Sequence, residues 1–106
     1  MNKWIDDNTN FDNLAVEAVF KKKRPVAKCC GIPDFHVYGY VHSHNRGSLW
    51  AWCSNCKRFV HLDGIRFPDD FKNADGIELK HLCAIPEYLE ENKQIADKQL
   101  EAYLAS

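Results

Sequence analysis

The chain has 106 residues, 45% of them hydrophobic, and a formal net charge of −1. This length suits one domain and leaves little room for a second, and the charge balance gives the molecule as a whole no electrostatic claim on nucleic acid or on an anionic membrane. No apolar run is long enough for a signal peptide or a membrane span, so a cytoplasmic location with reduced thiols is expected.

Residues 1–9 are polar apart from Trp4 and Ile5 and predict a loose start. Over 10–24, apolar residues recur at helical spacing at Phe11, Leu14, Ala15, Ala18 and Val19, which predicts a helix. Asp12 near its start and Lys21, Lys22, Lys23 and Arg24 at its end complement the helix dipole, and Pro25 is expected to stop it. The basic run reads as a solvated helix end, with a phosphate-binding patch as the competing reading.

Aromatic and β-branched residues then dominate Phe35–His42, Ser48–Cys53 and Cys56–Leu62, which predict three strands. His44-Asn45-Arg46-Gly47, Ser54-Asn55 and Asp63-Gly64 are turn signals. Residues 68–76 form a polar connection, Ile77–Leu82 reads as a short strand, and Pro86 opens a helix over 86–104. That helix carries Leu89, Ala96, Leu100, Tyr103 and Leu104 on one stripe. The expected class is α+β in a single domain. A small antiparallel sheet of three to five strands, over 26–67, is flanked by an N-terminal and a C-terminal helix.

The five cysteines are Cys29, Cys30, Cys53, Cys56 and Cys83. An odd number with an adjacent pair suits metal binding in a reducing compartment better than a disulfide framework. With Ser54-Asn55 as a two-residue turn, Cys53 faces Cys56, Trp52 faces Lys57, Trp50 faces Phe59 and Ser48 faces His61. Closing the preceding hairpin across 43–47 sets Tyr40 against Trp50 and Tyr38 against Trp52. Cys30, a few residues before the first strand, then returns to the Cys53/Cys56 end. Zn²⁺ takes four ligands in a tetrahedron, and thiolates supply softness and charge. Cys29, Cys30, Cys53 and Cys56 are the candidate metal ligands and zinc the expected cofactor. The fourth position stays open among Cys29, Cys83, His81 and His36. Buried thiols in a metal-free sheet are the bland alternative.

This stretch, about residues 26–62, resembles the zinc-ribbon family. Cys53-Ser54-Asn55-Cys56 matches one of its cysteine turns, and Cys30-Gly31 matches the second half of the other, where Ala27 stands at the earlier cysteine position. Lys28-Cys29-Cys30-Gly31 together with the run from Trp50 to His61 also resembles small cysteine-containing immunity proteins of bacterial toxin systems. That resemblance implies a non-enzymatic, cytoplasmic protein that covers a toxin domain.

Alternation assigns Val37, Val41, Leu49, Ala51 and Val60 to one sheet face, and Tyr38, Tyr40, His42, Trp50, Trp52, Phe59 and His61 to the other. Two amphipathic helices are available to cover both faces. The competing reading makes part of the aromatic face a partner-binding surface, with Tyr38, Tyr40, Trp50, Trp52 and His61 as its residues. Nucleic-acid binding is the alternative function, with Lys21–Arg24, Lys28, Lys57 and Arg58 on phosphates and the aromatics stacking bases. His42, His44, Arg46, His61 and Asp63 gather at the far end of the sheet. They could serve as acid, base and phosphate clamp, or hold a second metal, but a polar loop end without chemistry is the plainer reading. No catalytic residue is assigned.

Overall fold

The computed structural model describes residues 4–6, 11–24, 35–77 and 86–105. Its elements are β1 (Ile5–Asp6), α1 (Phe11–Phe20), β2 (Phe35–Ser43), β3 (Arg46–Cys53), β4 (Arg58–Arg66), α2 (Pro86–Glu91) and α3 (Lys93–Ala105). The sheet order is β1-β4-β3-β2. The architecture is the expected α+β one, with helices on either side of the strands in sequence. The sheet is mixed, because the two-residue β1 runs parallel to β4. Trp4 and Ile5, read as part of a loose start, belong to this edge: the Ile5 amide donates to the Lys57 carbonyl at 2.8 Å. The expected strand at 77–82 falls outside the described residues beyond Ile77.

Both hairpins have the expected faces but a register displaced by two residues. Trp50 pairs with His61 rather than Phe59, and with Tyr38 rather than Tyr40. The turns explain the difference. His44 and Asn45 alone make the first turn, both in the left-handed region (φ 53° and 61°), the conformation that suits a two-residue hairpin. The second turn takes four residues, 54–57, instead of two. A displacement by an even number leaves every side chain on its assigned face. Asp63-Gly64 is not a chain reversal. Gly64 (φ 68°) forms a bulge within β4, so that Asp63 and Gly64 together face Ser48.

One face of the sheet buries Val37, Leu49, Ala51, Cys53 and Val60 against Ala15, Ala18 and Val19 of α1, with Leu100 and Tyr103 of α3. Phe67 and Phe71 complete this cluster. They fill the space above Gly39, where an added Cβ would lie 2.7 Å from the Phe71 ring and 2.8 Å from the Phe67 ring. The other face buries Tyr38, Trp50 and Trp52 beneath Leu89 of α2 and Ala96 of α3. Each large side chain so buried contributes about 1.5–3 kcal/mol of hydrophobic stabilisation.

The helix bounds differ from expectation for local reasons. α1 ends at Phe20 rather than beside Pro25, because Lys22 turns left-handed (φ 49°) and the Glu17 carbonyl accepts from Lys21 and Lys23. The predicted helix over 86–104 is broken at Asn92. Its side-chain amide donates to the Tyr88 carbonyl at 2.8 Å, displacing the regular backbone pattern, and its own carbonyl then receives Ile95 and Ala96 at the start of α3.

β2 is the outer strand of the described sheet, and its outward backbone groups at Gly39 and Val41 are occupied by side chains. The Gln99 carboxamide accepts from the Gly39 amide (3.1 Å) and donates to the Gly39 carbonyl (2.8 Å) and the Lys72 carbonyl (3.0 Å). Asn73 does the same for Val41, accepting from its amide (2.8 Å) and donating to its carbonyl (3.0 Å). Two carboxamides thus stand where a neighbouring strand would pair, and they close an edge that would otherwise invite another chain. Gln99→Leu leaves three backbone groups without their partner. At about 1–3 kcal/mol per buried unsatisfied group, partly relieved by water, a loss of about 3 kcal/mol in chemical denaturation is expected. A loss below about 1 kcal/mol would show that the clamp does not hold β2.

Candidate functional site

The Cys53-Ser54-Asn55-Cys56 segment is a tight turn at one end of the sheet. Cys53 is the last residue of β3, buried with the α1-side cluster, and Cys56 lies half-buried against the same cluster. The Cys56 amide donates to Cys53 Sγ at 3.4 Å, and the Lys57 amide donates to the Cys53 carbonyl at 3.0 Å. Lys57 closes the turn in the left-handed region (φ 59°), the conformation glycine favours, while its ammonium sits 5.0 Å from the centre of the Trp4 ring. A metal is bound by the thiolate form of cysteine, and one backbone amide already points at the Cys53 sulfur. Cys53 and Cys56 are the two described cysteines, and sulfur is a donor type that zinc accepts.

Cys29, Cys30, His81 and Cys83 lie outside the described residues. Among the described residues no group of three or more His, Cys, Asp or Glu side chains is placed to hold a metal ion. His36, an open possibility for the fourth ligand, belongs to the opposite face. Its Nδ1 lies 2.6 Å from Asp97 Oδ1, and its ring packs 5.4 Å from Trp52. Phe35, one residue earlier, is the cross-strand partner of Cys53.

α2 reaches this same end through Glu90, which sequence reasoning missed because a glutamate on an amphipathic helix carries no signal of its own. Glu90 Oε1 accepts from the Trp52 indole (2.9 Å) and the Ser54 hydroxyl (2.5 Å), and Oε2 lies 3.3 Å from Lys93 Nζ. Burial pushes its carboxyl up, but Ser54, Trp52 and Lys93 outweigh that, and the net shift is downward. A carboxyl depressed in the fold stabilises above its unfolded value of about 4.3 and loses that contribution as pH falls through its folded value. Tryptophan emission and melting temperature should therefore hold steady down to about pH 5 and fall below it. Glu90→Gln should flatten that acid limb. An identical acid profile in the variant would remove Glu90 from this role.

The five residues expected to meet a partner divide into two groups. Tyr38 and Trp52 are fully buried and Trp50 nearly so, which corrects their assignment to a free surface: α2 and α3 lie over them. Burial pushes the Tyr38 phenol up to about 12, and its hydroxyl has no hydrogen-bond partner among the described residues. Tyr40 is half-buried and His61 exposed.

Both lie toward the far end, by the His44-Asn45 turn. There Tyr40 meets the edge of His42 at 4.9 Å, and Trp50 stacks on His61 at 4.5 Å. Asp63 accepts from the Ser48 hydroxyl (2.7 Å) and lies 3.1 Å from His61 Nε2. The serine hydroxyl thus points at a carboxylate, not at an imidazole that could take its proton, unlike an activated nucleophile. Arg66 was missed, since only the bulge at Gly64 brings it opposite Arg46.

The basic run after α1 is largely neutralised. Lys22 pairs with Asp70 at 2.7 Å, Lys23 with Glu17 at 3.5 Å, and Arg24 grips both carboxylate oxygens of Glu101. These links tie the end of α1 to α3 and to the loop after β4. No described helix is long and apolar enough to cross a membrane. Comparison with protein-family models, with curated proteins and with solved structures finds no match for this chain.

Proposed function

We propose that the chain is a non-enzymatic protein-binding module stapled by zinc, with Cys53 and Cys56 supplying two of the ligands. The observation that carries this is the turn itself, in which two thiols share one tight reversal and the amide of one cysteine is aimed at the sulfur of the other. The remaining ligands come from Cys29 and Cys30, with Cys83 or His81 as the alternative for the fourth. The segments carrying them join the described fold at Phe35, directly across from Cys53, and at Pro86, the start of the helix whose Glu90 holds Ser54. The resemblance to immunity proteins supplies the class of partner, a toxin domain neutralised by direct binding in the cytoplasm.

Nucleic-acid binding is the weaker reading, since carboxylates already occupy three of the four cations at the end of α1. The test is elemental analysis of protein purified without added metal or chelator, beside Cys53→Ser/Cys56→Ser. About one zinc per chain, absent from the double variant, supports the proposal. No metal in either protein overturns it.

A further inference from the structure

We propose that the far end of the aromatic face is an oxyanion-recognising pole, built on Arg46 and Arg66, that docks an acidic surface of a protein partner. This rests on the protein-binding reading and names where the partner sits and what chemistry it presents. Arg46 and Arg66 are direct cross-strand neighbours on β3 and β4, and both are exposed. Like charges directly opposite on a sheet are destabilising, so the fold gains nothing from this pair. Among the described residues no carboxylate lies within ion-pair distance of either guanidinium, and the hydrogen bond found there runs from Arg46 to the Gly64 carbonyl at 3.4 Å.

The nearby acids turn to other partners: Asp63 accepts from Ser48 and lies beside His61, Asp69 accepts from Asn45 at 2.6 Å, and Asp70 pairs with Lys22. The contrast with the end of α1 is direct, since there three of four cations are paired within the chain. At this pole the pairing is left to something outside it. A depression of about 270 Å³ opens beside Arg46, lined also by His42, His44, Ser48, Asp63 and Gly64. Guanidinium forks match carboxylates bidentately, and His42 and His44 add ring donors at the rim. The half-buried Tyr40 and the exposed His61 supply aromatic surface next to the charged rim, the mixture that protein interfaces favour.

The test is an amide chemical-shift titration of the whole chain with a hexaglutamate peptide. The expected result is a saturable shift confined to amides of residues 42–48 and 61–66, weakened at least tenfold in Arg46→Ala/Arg66→Ala and by raised salt. Both arginines are exposed, so the double variant is expected to fold, and its unperturbed amide spectrum elsewhere checks that. No saturable shift at millimolar peptide, shifts centred on Lys21–Arg24, or equal binding by the double variant would overturn the proposal. So would a single-stranded oligonucleotide that displaces the peptide from these amides, because the pole would then be a nucleic-acid site. Zinc content measured on the same sample separates the two claims: zinc without peptide binding refutes the pole alone, and peptide binding without zinc refutes the metal alone.

Discussion

Cys56→Ser is expected to cost several kcal/mol and to lower the melting temperature by well over 10 °C, a loss out of proportion to the side chain's place in the fold. Cys56 is half-buried at the rim of a cluster. Without a metal, exchanging its sulfur for oxygen would cost about 0.5 kcal/mol, the usual scale for a substitution away from the core. With zinc bound, the same change removes one of four thiolate or imidazole ligands, and metal-binding free energy is folding free energy. Cys53→Ser is the less telling variant, because a hydroxyl at that fully buried position is costly in either case. The wild type treated with a strong chelator should melt where Cys56→Ser melts. A variant within about 1 kcal/mol of wild type, with chelator making no difference, would leave the turn an ordinary hairpin.

Gly47→Ala is expected to be among the most damaging changes away from the cysteines. An added Cβ would lie 1.8 Å from the Tyr40 carbonyl oxygen and 2.8 Å from both the Tyr40 carbonyl carbon and Val41 Cα. These are backbone atoms of the paired strand, so no rotamer change relieves the clash, and β2 and β3 must separate at the irregularity between Val41 and Ser43. A loss of about 3 kcal/mol is expected, a fall of roughly 12–20 °C for a domain of this size. Gly64→Ala is the matched control. Gly64, unlike Gly47, is left-handed, but an added Cβ there meets nothing within 4 Å, so only the backbone penalty of about 1 kcal/mol remains. Equal losses from the two substitutions, read by thermal melting, would mean that β2 and β3 are not held this closely.

The faces of the sheet were legible because alternation survives an even error. Trp50 found His61 instead of Phe59, yet Trp50, Trp52 and Tyr38 still share one face. The register itself was not legible, since turn length decides it and Ser54-Asn55 looks like a complete turn until Lys57 is seen to take the left-handed conformation. Asp63-Gly64 misled in the opposite direction, because the same dipeptide serves a reversal or a bulge and only the partner strand selects between them. Phe71 lay in a stretch read as polar, and its role follows from the absent side chain of Gly39, a distant signal with no local periodicity. The break at Asn92 turns on one side-chain hydrogen bond inside an otherwise continuous helical stripe.

At the site, spacing alone put Cys53 and Cys56 at one turn, but as a two-residue reversal with the cysteines opposed, where the structure has a four-residue turn and pairs Cys53 with Arg58. Burial of the aromatic face was harder to foresee. Its residue types are those of a hot spot and of a core alike, and the outcome depended on α2 and α3 folding back over Trp52 and Tyr38. The helices cover the cysteine end of that face and the middle, and leave the histidine and arginine end accessible.

The most direct measurement is the absorption spectrum of the protein loaded with cobalt(II) in place of zinc, recorded for the wild type and for Cys56→Ser. Cobalt reports both geometry and ligand type. Strong thiolate-to-metal charge transfer with tetrahedral ligand-field bands in the wild type, both diminished in the variant, is the predicted result. Cobalt that binds without charge-transfer absorption, or that the wild type and the variant bind with the same spectrum, would contradict a metal held at Cys53 and Cys56.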